Sequence, residues 1–184
     1  MKRVMAVFLA AVLVFACAGC GDGKKESKYA QALDVLNTVK DAYGEGELFA
    51  VYGGDMENAV MDAPGAFDIT KTEELEVSLG LPGSQASNIE DAASMIHMMN
   101  ANTFTGAAYR LKDGADMDAF AEAVKETILA KEWMCGFPDT LLIINVDGTY
   151  VVTAFGEKEI METFKNNALS ALAGAEVMAE EPIA

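Results

Sequence analysis

The sequence predicts an α+β domain of two layers, in which an antiparallel sheet built from two hairpins carries its helices on one face. Two observations lead to this prediction. Apolar runs flank Asp147-Gly148, a turn pair that tolerates positive φ and is a strong short-range signal for a hairpin. The same order, two strands followed by a helix, occurs twice between residues 93 and 172. The predicted arrangement is therefore ββα-ββα, preceded by an N-terminal helix.

The N-terminal helix is predicted over Glu26 to Tyr43, because apolar residues recur there at steps of three and four until Gly44 and Gly46 end the pattern. Residues 47–68 contain glycine and proline turns and no sustained period. A short helix is predicted to follow over Thr70 to Leu79, since its first four residues have capping-box spacing.

The C-terminal part has clearer periods. We predict strands over Ala93 to Asn100, Thr103 to Leu111, Thr140 to Val146 and Thr149 to Phe155, and helices over Asp116 to Trp133 and Glu157 to Leu172. Asp116 is the expected N-cap of the first of these two helices. Residues 173–184 are small and acidic, and we predict that they form a disordered tail.

The first residues have the order of a secretory signal. Lys2 and Arg3 precede thirteen uncharged residues, Val4 to Ala16, and small residues follow. This apolar stretch is shorter than the roughly 20 residues that a membrane-spanning helix needs. We therefore predict that residues 1–19 are a signal peptide and that the protein is exported.

Ala18-Gly19-Cys20 and the polar residues after it resemble the lipobox of bacterial lipoproteins. The resemblance implies that Cys20 is acylated and becomes the N-terminus, with residues 20–27 as a tether and residues 28–172 as a single domain. Cys17 stands where an aliphatic residue is usual, so acylation at Cys17, after Val14-Phe15-Ala16, is an alternative. A soluble secreted product is a second alternative. A redox Cys-x-x-Cys pair is a third, although such a motif needs a strand before it and a helix after it.

With this lipobox, the Leu79-Gly80-Leu81-Pro82 loop and the paired strands within Leu141 to Val152, the chain resembles a family of uncharacterised clostridial-type bacterial lipoproteins. The resemblance implies a small α+β domain that is lipid-anchored on the extracytoplasmic face of the cell membrane. It implies no activity.

Acidic residues dominate the charge. Removal of residues 1–19 takes away Lys2 and Arg3 and leaves 11 basic and 29 acidic residues, a formal net charge of −18. This charge argues against nucleic acid as a partner, since phosphate binding requires clustered Lys and Arg.

If Cys20 is acylated, Cys135 has no partner for an intramolecular disulfide.

Met95, His97 and Met99 form a candidate metal site. On a strand they would project from one face, and two thioethers beside an imidazole suit Cu(I). The alternative is that the methionines fill the core and His97 lies at a strand edge.

Trp133 and Phe137 form a candidate partner-binding site, near Cys135 at the end of a predicted helix. If exposed, the aromatic side chains could anchor a partner. The alternative is that they close the core.

Two acidic motifs have simpler explanations than a ligand. Gly53-Gly54-Asp55 is interpreted as a turn, and Asp113 to Asp118 lacks the spacing of an EF-hand, so that helix capping explains its carboxylates. We find no catalytic motif or cofactor motif and predict that the protein is not an enzyme. The prediction is a non-catalytic binding or accessory module of the cell envelope, with an envelope protein or glycan as partner. The alternatives are a copper-binding protein and a hydrolase with a carboxylate site.

Overall fold

A computed structural model describes residues 27–183. The predicted signal peptide, Cys17, Cys20 and most of the predicted tether lie outside the described residues. The helices are α1 (Ala32–Lys40), α2 (Thr72–Leu79), α3 (Met117–Leu129) and α4 (Lys158–Ala171), with a 3-10 helix at Gly83–Asn88. The strands are β1 (Val51–Gly53), β2 (Val60–Met61), β3 (Gly65–Phe67), β4 (Ile89–His97), β5 (Phe104–Leu111), β6 (Thr140–Val146), β7 (Tyr150–Gly156) and β8 (Ala175–Pro182).

All eight strands belong to one antiparallel sheet, which confirms the predicted α+β class. The strand order is β2-β1-β4-β5-β7-β6-β8, and β3 pairs with β4 beside β1. The β6–β7 turn has φ values of 51° at Asp147 and 78° at Gly148, so both turn residues adopt the positive φ that the sequence predicts.

The helices pack on both faces of the sheet, and the predicted single helical face is therefore wrong. Along β6, Leu142, Ile144 and Val146 pack with α1 and α4. The alternate residues Leu141 and Ile143 pack with α2 and α3. Because the central strands are apolar on both faces, one helical layer would leave half of this surface in water. The fold therefore has three layers.

The outer edge of β4 is covered by two short strands. Tyr52 of β1 pairs with Ile96, whereas Gly65 of β3 pairs with Ser94. The two strands come so close that a Cβ on Gly53 would lie 2.0 Å from the amide nitrogen of Gly65. This junction requires glycine because no side chain fits between the two backbones.

Residues 175–182 form β8, and the predicted disordered tail from residue 173 is therefore wrong. β8 pairs along the whole of β6, from Val146↔Ala175 to Thr140↔Pro182. β6 is buried on both faces, and its outer backbone edge needs a hydrogen-bonding partner. The C-terminal residues satisfy that edge despite their acidic composition.

Candidate functional site

The two ends of the sheet carry different features. We call the end with the β6–β7 turn the basal end, and the end with residues 98–103 and 130–139 the apical end. The chain enters the domain at the basal end, where the Ser27 hydroxyl donates to Asp147 Oδ2 at 2.6 Å. Tyr150 Oη donates to the carbonyl oxygen of Tyr29 at 2.8 Å. The backbone of the first described residues is therefore fixed to the β6–β7 hairpin.

Side chains from β4 and β5 form hydrogen bonds with residues 30–32, which follow next in the chain. Arg110 Nη1 donates to the carbonyl oxygen of Ala30 at 2.7 Å, and the Ala32 amide donates to Asp91 Oδ1 at 2.7 Å. Ala32 is the first residue of α1, so Asp91 satisfies an amide that has no partner within the helix. We call residues 27–32 the docked segment.

A cleft of about 500 Å³ opens beside the docked segment, and we call it the basal cleft. Its lining combines both signs of charge with an amide and a floor of small residues. The lining residues are Lys28, Asn145, Asp147, Gly148, Ala173, Gly174 and Glu176. They come from the chain entry, the β6–β7 turn and the α4–β8 connection, which the sheet brings together.

Asp147 supplies an incompletely satisfied carboxylate to this cleft. Its Oδ2 accepts from Ser27, whereas its buried Oδ1 has no hydrogen-bond partner within residues 27–183. Next to the cleft, burial raises the pKa of Tyr150 to about 12, with Arg110 opposing the rise and Asp91 and Asp147 adding to it. Burial also raises the pKa of Asp91, against the hydrogen bond from Ala32. The basal end thus holds acidic groups in a partly desolvated setting.

The apical end exposes large apolar side chains. Met99 is 83% exposed, Met134 is 90% exposed and Phe137 is 72% exposed, and Cys135 is exposed as a free thiol. We call these four residues the apical surface. Asn102 Nδ2 donates to the carbonyl oxygens of Cys135 and Gly136, and thereby holds the two apical loops together.

The predicted aromatic pair is divided between core and surface. Trp133 packs against Phe155, with ring centroids 5.2 Å apart, and the ammonium group of Lys131 lies 4.9 Å from the Trp133 ring centroid. Phe137 points to solvent instead. Trp133 therefore helps to close the core, whereas Phe137 is available to a partner.

Met95, His97 and Met99 do not share one environment. Met95 is fully buried in the core, and His97 stacks on Phe49 with ring centroids 5.0 Å apart. Met99 lies beyond the end of β4, so strand alternation no longer places it on the face of His97. His97 Nδ1 accepts from the amide of Met99, which occupies one of the two ring nitrogens. This geometry gives the copper hypothesis no support.

In the turn at Gly53-Gly54-Asp55, both oxygens of the Asp55 carboxylate accept hydrogen bonds from the protein. Asp55 is 1% exposed, and its oxygens accept from Lys71 Nζ at 2.6 Å, from the Asn58 side chain and from three backbone amides. Burial raises the pKa of Asp55, but these hydrogen bonds outweigh burial and hold it well below its usual range. A carboxylate with so many donors is a poor general base, and its role is to join this turn to the start of α2.

The remaining acidic candidate is also structural. Asp116 is the N-cap of α3 and accepts from the Ala119 amide at 3.0 Å, as predicted. Within residues 27–183, no group of three or more His, Cys, Asp or Glu side chains is arranged to hold a metal ion.

A smaller cavity of about 200 Å³ lies between the end of α1 and the start of α4. Tyr43, Glu47 and Glu159 line it, together with Phe49, Ile160 and Thr163. Burial, followed by the charge of Glu47, raises the pKa of Tyr43 well above its usual range. The cavity is less than half the size of the basal cleft, and its lining carries no basic group.

The polar residues of the basal cleft were not predicted as a site. The sequence identifies Asp147 and Gly148 as a turn. Lys28 and Glu176 lie almost 150 positions apart, because Lys28 begins the predicted domain and Glu176 belongs to the predicted tail. The only available signal was the Asn-x-Asp-Gly pattern, which is typical of a turn. The pairing of β8 with β6 is what creates this site.

Comparison of the chain with protein-family models, curated proteins and solved structures found no match. None of the helices within residues 27–183 has the length and apolar character required to cross a bilayer.

Proposed function

We propose that this chain is a membrane-anchored extracytoplasmic lipoprotein that acts as a non-catalytic binding or accessory module of the cell envelope. The observation that carries the proposal is the docked segment. Ser27 and Tyr29 are hydrogen-bonded to the basal end, so an anchor on Cys20 would attach to a defined end of the domain. Residues 20–26 could reach at most about 25 Å from that end.

In this proposal, the binding module consists of the ββα-ββα unit of residues 89–171. The N-terminal helix precedes this unit and follows directly after the docked segment. An anchor at the basal end would direct the apical surface away from the bilayer. Exposed apolar groups gathered on adjoining loops are typical of protein interaction sites. An envelope protein or glycan that meets the domain from outside would reach Met134 and Phe137 first.

The anchor is tested by metabolic labelling with a fatty-acid analogue. We expect the wild-type protein to carry label and Cys20→Ala to lose it, because the thiol is the acylation site in this proposal. Cys17→Ala serves as the matched control and should keep its label. Label lost in Cys17→Ala and retained in Cys20→Ala would move the anchor to Cys17, and an unlabelled, released wild-type protein would refute the anchor.

The binding role is tested by crosslinking in cells. A photoreactive residue placed at Met134 should crosslink an envelope component that mass spectrometry identifies, and Phe137→Ser should weaken that crosslink. A photoreactive residue at Leu169, which is 36% exposed near the basal end of α4, is the control for random encounter. Equal yields from the two positions, or no envelope product from Met134, would argue against the apical surface as a binding site.

A further inference from the structure

The basal cleft holds two opposite charges that do not neutralise each other. Lys28 and Glu176 both line it, yet within residues 27–183 neither side chain forms an ion pair or a hydrogen bond. Elsewhere in the described chain, basic residues such as Lys165 and Arg110 do pair with neighbouring glutamates. A ligand that carries both charges could therefore satisfy this pair.

Two further groups define how such a ligand would be oriented. Asn145 lies directly opposite Glu176 in the β6–β8 ladder, and its Oδ1 accepts from the Gly148 amide at 2.9 Å. This hydrogen bond leaves the Asn145 amide nitrogen as a donor for the ligand. Asp147 adds a second negative charge to the lining of the cleft, beside that of Glu176.

We propose that the basal cleft binds a small zwitterion, with its anionic group on Lys28 and the Asn145 amide and its ammonium group on Glu176 and Asp147. A volume of about 500 Å³ lies within the range of sites for small molecules. The formal net charge of −16 opposes a ligand that is only anionic. This inference rests on the proposed binding role and names the ligand class.

Two sources could supply this chemistry. The cleft adjoins the docked segment, so an anchored domain would hold it close to the ethanolamine phosphate headgroups of lipids. Free amino acids in the envelope carry the same pair of charges. Phosphoethanolamine and glycine are therefore the two probes, and the tighter binder identifies the source.

The test is a titration of the full chain, purified in detergent, followed by the amide NMR signals of Gly148 and Gly174. We expect saturable shifts with at least one of the two probes. Ethanolamine, which lacks the anion, and inorganic phosphate, which lacks the ammonium group, should bind at least about tenfold more weakly, because each engages half of the charged groups. Equal binding of a zwitterion and either single-charge analogue would overturn the proposal, as would the absence of shifts with both probes.

Two variants locate the binding. Glu176→Gln and Lys28→Met should each weaken binding of the preferred zwitterion by about tenfold or more. Both side chains are exposed, so neither change should unfold the domain. Glu181→Gln on the same strand and Lys158→Met at the apical end are the matched controls and should bind as the wild type does. Equal losses in variants and controls would place the binding outside the cleft.

The zwitterion titration and the tests of the proposed function can fail independently of each other. A lipidated protein that crosslinks an envelope partner but binds no zwitterion would retain the proposed function and lose this inference. An unlipidated protein whose cleft still binds glycine would retain this inference and lose the proposed function.

Discussion

Asp55 carries a buried charge that the surrounding fold stabilises with hydrogen bonds. Its buried oxygens accept from Lys71, from Asn58 and from three backbone amides, and Asp55→Asn would place a donor among these donors. We expect the variant to lose about 2–3 kcal/mol of the free energy of unfolding, measured by urea denaturation near neutral pH. Glu57→Gln, which affects the exposed partner of Lys71, should cost less than about 1 kcal/mol. Equal losses would show that burial of Asp55 is not decisive.

The Asp55 carboxylate should also make the free energy of unfolding depend on pH in the acidic range. The pKa of Asp55 is lower in the folded chain than its ordinary value of 3.8, so folding gains from the ionised form at any pH above that value. This gain decreases as the pH falls from about 4 toward the lower pKa of the folded state. The stability difference between wild type and Asp55→Asn should therefore be constant from about pH 7 to pH 5 and become smaller below about pH 4. Denaturation curves at several pH values measure this difference.

Gly53 tests the junction between β1 and β3. A Cβ at this position would lie 2.0 Å from the Gly65 amide nitrogen and 2.3 Å from the Ser94 carbonyl oxygen, both of which are backbone atoms. Gly53→Ala should therefore cost more than about 4 kcal/mol and greatly reduce the yield of folded protein. Gly83→Ala is the control, because the nearest atom to its added Cβ is 3.7 Å away. Similar thermal stability of the two variants would contradict the described junction.

At the scale of elements, β8 completes the sheet. A chain that ends at Gly174 would expose the outer backbone edge of β6, which is otherwise paired along its length. We expect the thermal midpoint to fall by at least about 10 °C, since 1 kcal/mol corresponds to about 2–4 °C in a domain of this size. A chain that ends at Ile183 is the matched control and should keep the wild-type midpoint. Equal midpoints in a calorimetric scan would mean that β8 contributes nothing to stability.

The elements also show how far the sequence could predict the fold. The β6–β7 hairpin was predictable because its signal, Asp147-Gly148 between two apolar runs, is local. β8 was not, because Val177 lies between glutamates and its pairing partner, Ile144, lies more than 30 residues earlier. Apolar periodicity likewise shows that α3 has a buried face, but not which side of the sheet this face covers. The prediction of one helical face was wrong for that reason.

Less of the candidate functional site than of the fold could be predicted from the sequence. Phe137 was singled out from composition near a helix end, and the structure does expose it. The basal cleft, however, depends on Lys28, Asn145 and Glu176, which only the completed sheet brings together. Single polar residues have no period and no motif, so the sequence alone could not group them.

At the scale of the whole molecule, the two ends of the sheet face opposite directions. β6 has seven residues, so about 23 Å separates the basal end from the apical end. The proposed anchor would place the basal end within about 25 Å of the bilayer, whereas the acidic domain would be repelled from anionic headgroups. The apical surface should therefore be the more distant of the two ends.

Fluorescence quenching measures this orientation. The native thiol of Cys135 reports on the apical end, and Ala119→Cys combined with Cys135→Ser places a label at the start of α3, at the basal end. In vesicles that carry the anchored protein, a quencher attached to lipid headgroups should reduce the basal signal more than the apical signal, because the basal label lies one sheet length closer. Cys20→Ala should abolish the difference by removing the anchor. Stronger quenching at Cys135 would show that the apical surface faces the membrane and would contradict its proposed role in binding partners from outside.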